Sequence, residues 1–249
     1  MIPVFINSFN NLTHVQTSVE QFQYFHGVES LHIVDNASTY PPLCEYLSKE
    51  IKAKVPVYVH PLKENNQGGR GAWNFQSHFL RKKPEFKYVI VADCDLDMSA
   101  VPLDFFLRGV HALCKYNDIA KVGVSLKIDD LPDESPIKDQ VISREQDYWK
   151  IKRDVDWYSA DIDTSPFVTK TGVGFSYGPA LRSVFCSARH RPWYLTPQNL
   201  TEEDLYYLQS IPSKNKPSLY YSTLMESGFS SGKSSHEQSP SDHWNGPSQ

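Results

Sequence analysis

A chain of 249 residues has room for one large α/β domain or two small ones. Its residues are 40% hydrophobic and 13% aromatic, enough to bury a core, which excludes a wholly disordered chain. The formal net charge of -4 argues against a nucleic-acid binder, whose charge balance is normally basic.

In chain order, Pro3 to Ile6 reads as a buried strand, and Leu12 to Phe25 carries Leu12, Val15, Val19 and Phe22 at helical spacing. Leu31 to Val34 is a second strand, stopped by the turn-forming run Asp35-Asn36-Ala37-Ser38. Pro41-Pro42 opens a helix through Leu47, because proline is favoured in a first helical turn. Val55 to Val59 is a third strand. A glycine-rich loop, Asn65 to Gly71, leads into a helix from Ala72 to Leu80. Tyr88 to Ala92 is a fourth strand, Asp104 to Tyr116 a helix, and Ala120 to Ile128 another strand.

Strands alternating with helices predict a single α/β domain of Rossmann-like type, with a mostly parallel central sheet and helices on both faces. Ligands of such sheets bind at strand C-terminal ends. Residues 129 to 150 are polar without a clear period and read as a surface excursion. The folded domain is expected over 1–224, with halves of about 1–130 and 131–224. Residues 225–249, rich in Ser, Gly, Pro, His and Gln, read as a disordered tail.

Cys44, Cys94, Cys114 and Cys186 form neither a CxxC zinc set nor a disulfide framework, so a reducing compartment is expected. The N-terminal residues have no signal-peptide pattern, and no apolar run reaches the roughly 18 residues of a membrane span. The expected location is cytoplasmic, with no transmembrane segment.

The strongest chemical signal is the run from Val89 to Asp97. A hydrophobic strand ends in three alternate carboxylates, Asp93, Asp95 and Asp97. Such charges are costly to bury alone, and carboxylates crowded at a strand end suit a hard cation, Mg²⁺ or Mn²⁺. That cation would bridge diphosphate oxygens. The competing reading is a solvated acidic turn. In the Asn65–Asn74 stretch, glycines allow close backbone approach and the helix start after Gly71 favours negative charge. Arg70 offers a forked donor to phosphate. Read singly, Asp35-Asn36 is an Asx turn, Gly68-Gly69 a tight turn and Arg70 a surface residue.

Taken in order, these segments resemble the GT-A glycosyltransferases, especially the family 2-like enzymes, whose DxD motif ends the fourth strand. The resemblance covers roughly residues 2 to 130. It implies that Asp95 holds the metal and that Asp93 contacts the ribose or the metal and its water shell. It also implies that the first-strand loop with Phe5 and Asn7 cups the base. Asp35 and Asn36 then meet base or ribose, and Gly69 and Arg70 belong to a donor-site stretch of the form N-x-G-x-x-x-A-x-N. Many enzymes of this fold bring a late histidine to the metal, which points to His190 in Arg189-His190-Arg191-Pro192-Trp193-Tyr194. In that run Arg189 and Arg191 would neutralise diphosphate, or else it is a surface loop with Trp193 in the core.

Two candidate general bases compete. Asp161 and Asp163 lie in an aromatic run, Trp157 to Phe167, read as extended, with both acids on one face and Trp157 and Tyr158 suited to sugar. It is similar to an "ADIDT" stretch on the acceptor side of some of these enzymes; the other reading is a strand edge with solvated acids. Asp204, in Thr201-Glu202-Glu203-Asp204, matches the "xED" helix start of inverting family 2 enzymes, but capping explains the same residues.

The expected function is transfer of a sugar from a nucleotide-diphosphate donor, a UDP-sugar in first place, to a glycan or other hydroxyl acceptor. Direct displacement gives inversion; a retaining route stays open. The alternatives are a nucleotidyltransferase or sugar-nucleotide pyrophosphorylase, which usually has glycines after the first strand where this chain has Asn7-Ser8-Phe9-Asn10, and a non-catalytic sugar-binding relic. No GxGxxG follows the first strand, which counts against a dinucleotide oxidoreductase.

Overall fold

A computed structural model describes residues 1–63, 70–162, 166–173 and 178–211. The expected tail at 225–249 lies outside the described residues. The first half alternates β1 (Ile2–Ser8), α1 (Leu12–Phe22), β2 (Val28–Asp35), α2 (Pro41–Leu47), β3 (Val57–Pro61), α3 (Arg70–Leu80), β4 (Tyr88–Asp93), the short β5 (Leu96–Asp97), α4 (Phe105–Lys115) and β6 (Lys121–Leu126). The second half contains α5 (Lys138–Glu145), β7 (Trp157–Ser159), β8 (Phe167–Lys170), β9 (Ala180–His190) and α6 (Glu202–Ser210), with 3-10 turns at Gln146–Trp149 and Arg191–Tyr194.

The sheet runs β3-β2-β1-β4-β8-β6-β9-β5, and β7 pairs with β9. β3, β2, β1 and β4 are mutually parallel, as are β6 and β9. Antiparallel β8 joins the two sets. The expected α/β class with a mostly parallel sheet is thus observed, with β5, β7 and β8 reversed.

Strand alternation divides the core into two faces. Val4 and Ile6 of β1, Leu31 and Ile33 of β2, and Ile90 and Ala92 of β4 pack with α1 and α4. Phe5, Val34, Val89 and Val91 pack under α3 with Ala72, Trp73 and Leu80. Apolar residues on both sides of each strand are what a parallel sheet covered on two faces demands. Helices therefore cover both faces, as the sequence predicted.

Residues 129–150, expected as irregular surface, contain α5 and the turn that follows it. Their anchor is Glu145, 1% exposed and bonded to Arg182 of β9 at 2.8 Å. A polar segment thereby gains a buried ionic contact that hydrophobic periodicity cannot reveal.

Candidate active site

Register brings the first polar set together. Parallel pairing places Asn7 of β1 opposite Asp93 of β4, and Asn7 Nδ2 donates to Asp93 Oδ1 at 3.0 Å. Asn36 Nδ2 donates in turn to Asn7 Oδ1 and, at 3.4 Å, to the Ser8 carbonyl. Asn36 is fully buried beneath the start of α3. A Cβ on Gly71 would lie 2.2 Å from Asn36 Oδ1, so glycine is needed here for close approach. Asp35 closes its own turn, accepting from Ser38 N at 3.0 Å and from the Ser38 and Ser8 hydroxyls. The turn holds Ala37 at φ +60, a conformation that costs an alanine about 1 kcal/mol. Asn10, at φ +47, ties it down: its Oδ1 accepts from Thr39 N at 2.6 Å and Tyr40 N at 2.9 Å.

The second set forms where β5 meets the end of β9. Antiparallel pairing sets Leu96 opposite His190, and Arg191 N donates to the Asp95 carbonyl at 2.9 Å. This register brings His190 Nε2 to 3.3 Å from Asp95 Oδ2. Trp193 packs edge-on to the imidazole, ring centroids 4.7 Å apart, and fixes its orientation. Asp95 Oδ1 is buried and has no hydrogen-bond partner. Burial pushes the Asp95 carboxyl up, but the charge and hydrogen bond of His190 and the charge of His14 outweigh it and hold it below its ordinary value. Asp95 is therefore an ionised carboxylate with one oxygen unsatisfied, an expensive arrangement unless something completes it.

These donors suit a hard divalent cation. Asp95 and His190 supply one oxygen and one nitrogen, and such ions keep several positions for water and phosphate oxygens. Among the described residues no three His, Cys, Asp or Glu side chains converge on one point. The remaining ligands of such an ion would come from water or a bound anion.

Beside this pair opens a cleft of about 400 Å³, lined by His14, Asp97, Arg191, Tyr194, Glu203 and Asp204 among others. Asp97 Oδ1 accepts from Gln21 Nε2 at 3.2 Å and Ser99 N at 3.0 Å. Burial pushes the Asp97 carboxyl up, but these bonds and the Arg191 charge bring it below its ordinary value. Burial lowers the His14 imidazole most, assisted by Arg191 and opposed by Asp95, Asp204 and Glu203.

Asp204 forms a capping box with Thr201: its Oδ2 accepts from Thr201 N at 3.0 Å and Thr201 Oγ1 at 2.6 Å, while Asp204 N donates to Thr201 Oγ1 at 3.2 Å. Glu203 caps a different helix, accepting from Leu12 N and Thr13 N at the start of α1. α6 is thereby docked onto the first half.

Asp161 is exposed, and its carbonyl accepts from Arg182 Nε at 2.6 Å. Asp163 lies outside the described residues, as do Gly69 and the Arg70 side chain. Phe5 is fully buried and stacks on His32, ring centroids 4.6 Å apart, so its side chain is a core contact with no face open to a base. Trp157, proposed as a sugar platform, is likewise core, packed on Phe105 and Phe185. The expected extended run ends at Ser159. Arg189 is held by Asp130, at 2.8 Å from Nε and 2.6 Å from Nη2. The structure thus joins Asp95 to His190 and Asp93 to Asn7 and Asn36. Sequence reasoning missed His14, since a lone histidine in an amphipathic helix carries no signal.

No protein-family profile and no curated protein sequence matches the chain. Among solved structures, S. aureus TarS 1-349 in complex with UDP-GlcNAc is similar over 92% of this chain and 72% of its own, at 12% identity and a TM-score of 0.45. S. aureus TarS is similar over 53% of this chain, at 15% identity and a TM-score of 0.36; this chain spans 23% of its length. The similarity is one of fold.

Proposed function

We propose that this chain is a metal-dependent glycosyltransferase of the GT-A type its motifs resemble, using a nucleotide-diphosphate sugar, with UDP as the first nucleotide to test. The observation that carries the reading is Asp95: an ionised, half-buried carboxylate at a strand end, one oxygen on His190 and the other buried without a partner. Asp95 and His190 would hold Mn²⁺ or Mg²⁺, which would supply charge neutralisation for the leaving diphosphate when bound. Asn7, Asn36 and Asp93 line the strand ends where nucleoside and ribose are held. The N-terminal end of α3, with Gly69 and Arg70, receives phosphate. Trp193 keeps the imidazole of His190 turned to Asp95. The acceptor hydroxyl gives its proton to Asp161, Asp163 or Asp204 as it attacks the anomeric carbon. Direct displacement inverts that carbon.

One domain spans 1–224 in this reading, with a nucleotide-sugar half and an acceptor half. Among the described residues no helix is long and apolar enough to cross a membrane, and a cytoplasmic placement belongs to the proposal.

The test is product release. The protein is incubated with a panel of nucleotide sugars and Mn²⁺, and free nucleotide diphosphate is measured. Release from one donor class, abolished by chelator and by Asp95→Ala, is the expected result. A folded protein that releases nothing from any donor contradicts the proposal and favours a sugar-binding relic.

A further inference from the structure

Each carboxylate named in the lining of the cleft beside Asp95 and His190 is already engaged. Asp97 accepts from Gln21 and Ser99, Asp204 from Thr201, and Glu203 from the first turn of α1. Arg189, at the rim, is neutralised by Asp130. Arg191 is the exception. Its Nε is buried without a hydrogen-bond partner, and its guanidinium makes no hydrogen bond or ion pair among the described residues. Asp97 and His14 feel its charge, but neither bonds to it. Arg191 is half-buried and faces the cleft; a buried N–H left unmatched is costly, and a forked cation of this kind is completed best by a phosphate or carboxylate.

The position of the cleft says which substrate would carry that anion. Asn7, Asn36, Asp93 and the start of α3 lie together at the strand ends, with Gly71 pressed onto Asn36. The cleft lies instead among the start of α1, the β5–β9 junction and the start of α6. Asp97 is tied there to Gln21 of α1, the helix that covers the sheet face opposite α3. The cation therefore lies in a cleft walled by the starts of α1 and α6, and none of the residues assigned to the donor is among its lining.

We propose, resting on the transferase reading above, that this cleft is an acceptor subsite that reads an anionic group, and that the acceptor is a glycan bearing a phosphate or carboxylate held by Arg191. Tyr194 and His14 line the same cleft.

The probe is inorganic phosphate, titrated calorimetrically into protein with and without prior loading by UDP and Mg²⁺. Loading fills the donor phosphate positions, and its success or failure reports separately on the transferase reading. Wild-type protein is expected to bind phosphate at one site in both states. Arg191→Gln is expected to weaken that binding at least tenfold and to change UDP affinity less than twofold. Arg191→Lys retains part of the phosphate affinity, and Arg189→Gln stays within twofold of wild type. Thermal melting of each variant verifies folding. Wild-type phosphate affinity in a folded Arg191→Gln variant, or no phosphate binding by wild type, overturns the subsite. A tenfold loss of UDP affinity in Arg191→Gln overturns it in another way, by assigning the cation to the donor diphosphate.

Discussion

Two acid–base pairs, one buried and one half-buried, lie at opposite ends of β9 and differ in how far the protein satisfies their carboxylates. Arg182 and Glu145 are 0% and 1% exposed, bonded at 2.8 Å, with Arg182 also donating to the Asp161 carbonyl and lying over the Tyr148 ring. Asp95 and His190 meet at 3.3 Å, and Asp95 Oδ1 is left without a partner. In the first pair the cation is held by three neighbours, the Glu145 carboxylate, the Asp161 carbonyl and the Tyr148 ring; in the second the carboxylate is open on one side. Buried carboxylate oxygens are normally satisfied, so an open carboxylate beside a cleft points to a ligand, whereas an ion pair enclosed in the core away from any cleft points to architecture.

Breaking the closed pair should have the largest effect on stability. Glu145→Ala leaves a buried guanidinium without its carboxylate and should cost about 3–5 kcal/mol, read as a fall in the urea midpoint. A loss below 1 kcal/mol would mean that the pair does not anchor α5. Breaking the open pair should have the reverse profile. Asp95→Ala should lower transfer about a thousandfold, equivalent to about 4 kcal/mol, while the melting temperature moves by only a few degrees.

A third buried contact sharpens the comparison through pH. His32 Nδ1 and His60 Nε2 lie 2.9 Å apart, with Ser30 Oγ 3.0 Å from His32 Nε2. Burial, then the His60 charge, pushes the His32 imidazole down to about 3. The folded value lies below the unfolded one, so the unfolded chain binds the extra proton. The contribution of His32 to stability is full above pH about 6.5 and falls by about 1.4 kcal/mol for each pH unit below it, until the folded imidazole also protonates near pH 3. Urea unfolding at pH 7, 6 and 5 checks the slope, and His32→Phe, which keeps a ring against Phe5, should flatten it.

The smallest effect separates capping from catalysis. Thr201→Ala removes one half of the capping box and should cost about 1 kcal/mol with transfer nearly unchanged. If Asp204 only caps, Asp204→Asn behaves in the same way; a hundredfold loss of transfer on that substitution makes Asp204 the base instead.

Much of the first half was legible because its signals are local. Two-sided apolar strands, Pro41-Pro42 at a helix start and the break at Asp93 each follow from a few neighbouring residues. The closeness of Asp95 and His190 was legible only through family resemblance, since it depends on a two-residue strand, β5, that no periodicity reveals. Phe5 and Trp157 were misread because an aromatic next to polar residues looks the same in sequence whether its ring faces a ligand or the core. The Glu145–Arg182 pair joins residues 37 apart in sequence within a polar stretch, and nothing local announces it.

The most direct test of the metal on Asp95 is calorimetric titration of UDP, with other nucleoside diphosphates as controls, into wild-type protein and Asp95→Ala, each with Mn²⁺ and with chelator. The predicted result is binding of one nucleotide by wild type that requires the metal, and none by folded Asp95→Ala. Equal affinity in both proteins, or binding indifferent to chelator, would contradict it.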